Sequence, residues 1–428
     1  MNDYTINYEP YNSESAIADY FESWFSDWGS NHKSDQDKCY KAFRLSGLLQ
    51  KCVSTQTAML FGGVARVVPA SSSESFNKEA AQKLKHFFEH FYIKGNLDLL
   101  EFLSVCEHER MVRGEVFVRI IRRRNANVPF QLQIIPSSQV PFFNKKLENK
   151  NQVINGIEFK GLEVVAYYVK VSQGKTIRIP KSSMLHLLKR EDANQVRGVS
   201  CLKSSIEVEA QLETYKEADI TRKIKNAQFV GVIETPAPEN MDANLESDDD
   251  ENEESKPKRL KIENKDILTL PIGTRMELFN SSDSGDSYVE HINSEKKDIC
   301  CAVGVPYHLV NDDFKNMNDR ASREITNLYK RKLGQIKSLY IKTILQPLYQ
   351  KFIQAYGLAD IESRFDAKFY FEPYAYAHPV QDLKAKSLEL ELGIKSKIDL
   401  CEERGVDWQQ IIQENKQYEI YEGKKNET

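Results

Sequence analysis

No apolar run in the chain approaches the ~20 residues that a membrane span needs. The acidic N-terminus also lacks a signal-peptide pattern. An excess of charge of one sign is missing too: 59 Lys and Arg stand against 63 Asp and Glu, a formal net charge of −4. A general nucleic-acid coat would carry a strong basic excess, so that class is disfavoured. Seven cysteines, Cys39, Cys52, Cys106, Cys201, Cys300, Cys301 and Cys401, form no C-x-x-C pair and leave an odd one over, which argues against a disulfide framework or a zinc knuckle. They read as small core residues in a reducing cytosol. What remains is an ordinary globular composition, and 428 residues can form about two to four compact units.

Residues 1–39 are polar apart from Tyr20, Phe21, Trp24, Phe25 and Trp28, and read as a surface arm. Helical spacing then appears over 40–60, 78–92 and 97–112, with Gly114 ending the third helix. Short strand patterns follow at 116–121, 132–135, 156–159, 164–171 and 177–179. Helices followed by strands indicate an α+β unit.

Two motifs in this unit resemble chemistry and fail on inspection. His86, Glu89 and His90 match the H-x-x-E-H zinc signature, but Phe87, Phe88 and Phe91 share those turns and nothing marks a third ligand. Gly174-Lys175-Thr176 resembles the end of a P-loop, yet the first glycine that motif requires is Val169 here. A hairpin turn explains it better. No catalytic residue, metal or cofactor is expected from these segments.

Ser200 can cap a helix over 202–226 that is acidic at its start (Glu207, Glu209, Glu213, Glu217, Asp219) and basic at its end (Arg222, Lys223, Lys225), matching the helix dipole. So much charge predicts a broad exposed polar face. Strand patterns at 229–234, 267–270 and 276–278 flank residues 236–265, whose acidic and basic runs cannot bury enough apolar surface to fold and are expected to be disordered.

The stretch 287–357 organises the rest. Val289, Ile292, Ile299 and Val303 share one helical face, and Gly304 with Pro306 stops that helix. A loop over 305–318 follows, after which Asp319 could cap a second helix carrying Ile325, Leu328, Leu333, Ile336, Tyr340 and Ile344. Pro347 should kink that helix without ending it, because Leu348, Phe352 and Ile353 continue the pattern.

Gly304-Val305-Pro306-Tyr307, the run from Asn316 to Glu324, and Gln346-Pro347-Leu348-Tyr349 resemble, in order and spacing, the lambda family of tailed-bacteriophage portal proteins. Two further segments fit the same family. These are Ile179-Pro180 with His186 and Arg197-Gly198-Val199-Ser200, and the looser run from Phe369 to Lys384, where Phe371 stands in place of a tryptophan. His186 itself reads as a structural histidine.

The resemblance implies a portal fold. Its parts would be an N-terminal arm (1–39), an α/β wing (40–200) and helical stem segments (201–226 and 287–303). A β-containing clip (227–286) with a disordered insertion (236–265), a channel loop (304–318), a long kinked helix (319–357) and a short helical crown (358–428) would complete it. Asn311, Asp312, Asp313, Phe314, Lys315, Asn316 and Asn318 would lie nearest to DNA, and Glu213, Glu217, Arg222, Lys223, Lys225, Lys296 and Lys297 would belong to the stem. It also implies a ring, in the family a dodecamer, at one capsid vertex, through which double-stranded DNA is packaged and ejected. Its expected partners are the terminase large subunit at the clip, the major capsid protein and a head-completion adaptor, after assembly in a bacterial cytoplasm. A protein that only guides DNA needs no strong positive charge. The competing readings, an enzyme with an unrecognised site or a non-viral oligomeric scaffold, have no comparable run of motifs behind them.

Overall fold

The computed structural model describes residues 33–426 other than 96, 123–126, 172–173, 194, 234–258, 263–264, 270–284, 314–316, 359–365, 373, 375–378, 405 and 407. The side chains of 225–287, 319, 402, 409–410 and 420–426 also lie outside the described residues. The chain divides into two compact units, one made of residues 1–206 and 300–428, the other of Glu207–Ile299.

The first unit begins with helix α1 (33–45) and α2 (Gly47–Phe61). The sequence suggests one helix over 40–60, but the backbone breaks at Ser46. That residue is extended, and its side chain accepts a hydrogen bond from the Leu49 N–H, so a second helix starts there. Strand β1 (Ala65–Pro69) leads into α3 (Glu74–His90), capped by Ser73. Helix α4 (Leu99–Arg113) opens on a capping box of Asp98 and Glu101 and closes on Gly114 at φ 90°.

Eight strands follow: β2 (Glu115–Ile121), β3 (Gln131–Pro136), β4 (Lys145–Lys146), β5 (Gln152–Ile154), β6 (Ile157–Lys160), β7 (Glu163–Lys170), β8 (Thr176–Pro180) and β9 (Met184–Leu188). They form a three-stranded antiparallel sheet in the order β3-β2-β9 and a five-stranded meander from β4 to β8. Phe117, Ile135 and Met184 of the first sheet close a core with Ile157, Tyr167, Val169 and Ile179 of the second. The strands β1, β4, β5 and β9 are not among the sequence expectations. β4 and β5 are too short to carry a period, and β9 takes its place through pairing with β2.

The second unit holds most of helix α5 (Ile206–Gln228), the strands β10 (Phe229–Ile233), β11 (Arg259–Ile262) and β12 (Lys265–Thr269), and most of helix α6 (Gly285–Val303). β10 runs parallel to β12, and β11 runs antiparallel to it on the other edge. The end of the segment expected to be disordered is therefore a strand. Its alternation of Leu260 and Ile262 with Arg259 and Lys261 is the period of a sheet, which a reading of net charge overlooks. Residues 236–258, the core of that expectation, and the strand pattern at 276–278 lie outside the described residues. Tyr215 of α5 stacks on Tyr288 of α6, with ring centroids 5.7 Å apart, and meets His291 edge-on at 4.7 Å.

The chain then returns to the first unit. Helix α7 (Tyr307–Asn311) lies inside the stretch expected to be loop. Helix α8 (Asp319–Tyr340) is capped by Asn318, one residue before the expected Asp319, since the Asn318 side chain accepts from the Arg320 N–H at 2.9 Å. A single π-helical turn (Ile341–Leu345) joins it to α9 (Gln346–Ala355). Strand β13 (Ala367–Phe371) pairs antiparallel with β1, and the chain continues as α10 (Pro379–Glu391), α11 (Lys397–Glu403) and α12 (Trp408–Asn426). That last helix is longer than the short segment expected from the sequence.

Phe87 of α3 packs against Phe352 of α9 and Phe130, at 5.5 and 4.9 Å, and Phe91 meets Phe102 of α4 at 5.4 Å. Each ring removed from water contributes about 1.5–3 kcal/mol. Leu333, Ile336, Tyr340 and Ile344 are buried as their spacing predicts, whereas Val289, Ile325 and Leu328 are exposed. The helical period places a residue on a face but does not say how far the covering layer extends.

Candidate functional site

The turn after α6 is built by its sequence. Gly304 adopts φ 78°, its N–H reaches the Cys300 carbonyl, and the Val305 N–H closes on the same oxygen. These bonds satisfy the last carbonyls of α6. From α8, Lys332 donates to the Gly304 carbonyl at 2.6 Å, and burial lowers the pKa of that ammonium. A Cβ on residue 304 would collide with the Lys332 ammonium. Val305 and Val310 are buried, so Val310 belongs to the framework and not to an exposed loop.

The expected channel residues occupy different settings. Asn311 ends α7 with its amide nitrogen buried and without a hydrogen-bond partner. Asp312 sits at φ 53°, in the left-handed conformation that closes α7, and lies 3.6 Å from Lys51. Both groups are at least half exposed, so this pair adds little to stability. Asp313 is half-buried, Asn318 caps α8, and Phe314, Lys315 and Asn316 lie outside the described residues.

The Arg197-Gly198-Val199-Ser200 segment is the most heavily bonded place in the first unit. Arg197 is fully buried. Its Nε donates to Glu115 Oε1 at 2.7 Å, Nη1 to the Asn155 carbonyl at 2.6 Å, and Nη2 to Ser137 Oγ at 3.0 Å and the Val140 carbonyl at 3.1 Å. The guanidinium also lies 3.9 Å from the centre of the Phe142 ring. Glu115 accepts in addition from Ser137 Oγ, from the Gly198 N–H at 2.9 Å and from His186 Nε2 at 2.8 Å.

Burial pushes the Glu115 carboxyl up, but Arg197, then His186 and Ser137, outweigh it and hold the group well below the ordinary carboxylate range. Burial lowers the His186 pKa against the pull of Glu115, so the neutral ring donates from Nε2 while it stacks on Phe117 at 4.2 Å. Gly114 and Gly198 touch back to back, and a Cβ on either would strike the other's backbone. The histidine is thus a framework residue, as its sequence context suggests. Ser200 donates to the Met111 carbonyl and caps the turn at Leu202, ahead of α5.

Sequence reasoning missed a second buried cluster. Glu107 of α4 accepts from Arg110 Nε at 2.7 Å, from Gln56 of α2 at 2.6 Å and from the Tyr340 hydroxyl of α8 at 3.0 Å. Tyr329 reaches Gln56 Oε1 at 3.4 Å. The Glu107/Arg110 spacing of three residues inside an apolar helix was the available signal. His86 and His90 have their rings 4.9 Å apart on α3, and among the described residues no group of His, Cys, Asp and Glu has a metal-binding arrangement.

In the second unit Asp219 is buried and binds Arg222 at 2.7 Å and Lys223 at 3.0 Å, and Lys223 lies 4.7 Å above the Tyr288 ring. Glu209 is also buried, so α5 does not present all its acidic residues to water. Glu213 pairs with Lys216, Lys296 is half-buried and Lys297 exposed, Glu217 is exposed, and the Lys225 side chain lies outside the described residues.

These side chains converge to fasten one element to another, which is the character of a structural protein. A family model described as "Phage portal protein, lambda family" matches residues 26–337, more than half of the 428 residues. The chain belongs to the lambda family of phage portal proteins. It is accordingly a virion protein that forms an oligomeric ring at the portal vertex, the channel for DNA and the docking site of the head-tail connector.

Among solved structures the chain is similar to one from the virion of a native gene transfer agent particle, at 12% identity and a TM-score of 0.45, over 87% of this chain and 93% of that one. A chain from the neck of the native gene transfer agent particle has 13% identity and a TM-score of 0.47 over 85% and 91%. An HK97-family phage portal protein from Corynebacterium diphtheriae has 10% identity and a TM-score of 0.33 over 67% and 82%. No curated protein matches the sequence.

Proposed function

We propose that this chain forms a dodecameric portal in which α5 and α6 make the stem around double-stranded DNA, β10–β12 the clip, the β2–β9 region the wing, and α10–α12 a small crown. The observation that carries the reading is the family match over 26–337, which includes both the Arg197–Ser200 and the Gly304–Tyr307 motifs. The clip would dock the terminase large subunit, which supplies the ATP hydrolysis that this chain does not. The major capsid protein would surround the wing, and a head-completion adaptor would replace the terminase once packaging ends, all within the host bacterial cytoplasm.

In this reading the α7–α8 connection faces the bore, with Asn311, Asp312, Asp313, Phe314, Lys315, Asn316 and Asn318 nearest to the duplex. A conduit must bind DNA weakly, because every phosphate neutralised releases counterions and tightens the complex. Two carboxylates beside one lysine suit that requirement. Electron microscopy of the purified protein at high concentration should show rings with an axial hole. Particles without a hole, or a strictly monomeric protein, would overturn the proposal.

A further inference from the structure

Strand β1 has an unused edge. Two bonds flank its pairing with β13: the Ala70 N–H reaches the Asp366 carbonyl, and the Glu372 N–H reaches the Val64 carbonyl. With the observed register these are hydrogen-bonded pairs, so even-numbered residues exchange bonds with β13. The N–H and C=O groups of Ala65 and Val67 therefore point away from β13, and among the described residues they have no backbone partner. A bare edge of this kind is a template for another strand.

That edge opens into a groove of about 790 Å³ between β1, α3 and the start of α4. Ala65, Arg66, Val67 and Val68 all line it. Successive strand side chains point to opposite faces, so four consecutive lining residues mean that the groove meets the strand at its edge. Ala81, Leu84 and Phe88 of α3, with Leu97 and Leu99, form an apolar wall on which an added strand could lay alternate side chains. Lys85 and Arg66 stand on the rim beside Glu89, while Asp98 and Glu101 are occupied with each other's backbone.

We propose that residues 4–9 of this chain add to β1 as a third strand in this groove. Tyr4, Ile6 and Tyr8 alternate with Thr5, Asn7 and Glu9, a half-apolar pattern rich in strand-forming residues that ends at Pro10. Residues 1–32 contain Asp3, Glu9, Glu14, Asp19, Glu22 and Asp27 and no lysine or arginine, which suits the Lys85 and Arg66 rim.

The reach is sufficient. Helix α4, 15 residues and about 21 Å long, has its first residue on the groove. At its other end Arg113 lies against Tyr40 of α1, the helix that follows the arm. Residues 10–32 can span up to about 75 Å when extended. The strand can therefore come from the same chain or from a neighbouring copy. The proposal does not depend on the portal reading.

Hydrogen exchange of the full chain, read at single amides, tests it. The Ala65 and Val67 amides should be protected, and Ile6→Pro, which removes a strand N–H without touching any described contact, should speed their exchange about tenfold or more while leaving α4 amides unchanged. Equal exchange in the two proteins would overturn the assignment. A photo-crosslinking residue at position 5 gives a second readout. Attachment to β1, α3 or the start of α4, within a chain or between copies, supports the proposal, and attachment elsewhere or none refutes it.

Discussion

Arg197→Ala removes one guanidinium and leaves Glu115 ionised in a pocket with no water to replace it. The structure sets the size of the effect. Four hydrogen bonds of 2.6–3.1 Å and the contact with Phe142 disappear, while His186, Ser137 and the Gly198 N–H still donate to the stranded carboxylate. Removing one member of a buried pair costs about 3–5 kcal/mol, and the three remaining donors argue for the lower end. With a urea slope near ~3 kcal/mol per molar, the unfolding midpoint of the first unit should fall by about 1–1.7 M, followed by circular dichroism. In the Glu115→Gln background, where no charge is left unpaired, the same change should cost less than half as much. If Arg197→Ala moved stability by under ~1 kcal/mol, or by the same amount in both backgrounds, the cluster would not be the electrostatic unit its geometry indicates.

Three further outcomes are expected. Gly114→Ala should destabilise far more than Gly161→Ala, since both have positive φ (90° and 59°) but only the first meets backbone atoms of the 198–199 segment, and thermal melts of the two variants decide it. Burial lowers the folded-state pKa of His186 below its unfolded value, so the unfolded chain takes up the proton first and stability is lost as pH falls below about 6.5. His186→Gln should flatten that slope in urea titrations at pH 7 and 5.5, His108 and His308 contributing in the same direction through their own burial. Lys315→Glu in every subunit should reduce the DNA packaged per particle at equal ring assembly, and undiminished packaging would remove the charge role proposed for that residue.

Long, periodic elements were legible from the sequence because each carries its own punctuation. α3, α4, α6 and α8 all begin or end at a serine, asparagine, aspartate or glycine whose geometry is local. The Gly304 turn was readable for the same reason. β4 and β5 were not, because two or three residues have no period, and β1 and β13 were not, because each is defined by a partner about 300 residues away.

The Glu107–Gln56–Tyr340 cluster was hidden for a related reason: it joins three helices, and no window of sequence contains it. Within the candidate channel segment the sequence marked the residues but not their settings. Nothing in Val-Asn-Asp-Asp tells that Val310 is buried or that Asp312 closes a helical turn.

The π-helical turn over Ile341–Leu345 makes the rod from α8 to α9 sensitive to length. Before it, the buried positions Leu333, Ile336 and Tyr340 recur at three and four; after Tyr340 they fall at Ile344, Leu348 and Phe352, always four apart. A uniform α-helix would rotate such a series off its face by about 40° at each step. The wide turn absorbs the difference and accommodates Pro347, which has no N–H to give to the turn before it. Deleting any single residue between 341 and 345 would restore an ordinary helix and swing everything downstream by roughly 100°. Phe352 would then leave Phe87, and the aromatic layer under α3 would lose its closing ring. Substitutions there can be absorbed one at a time; a change of one residue in length cannot.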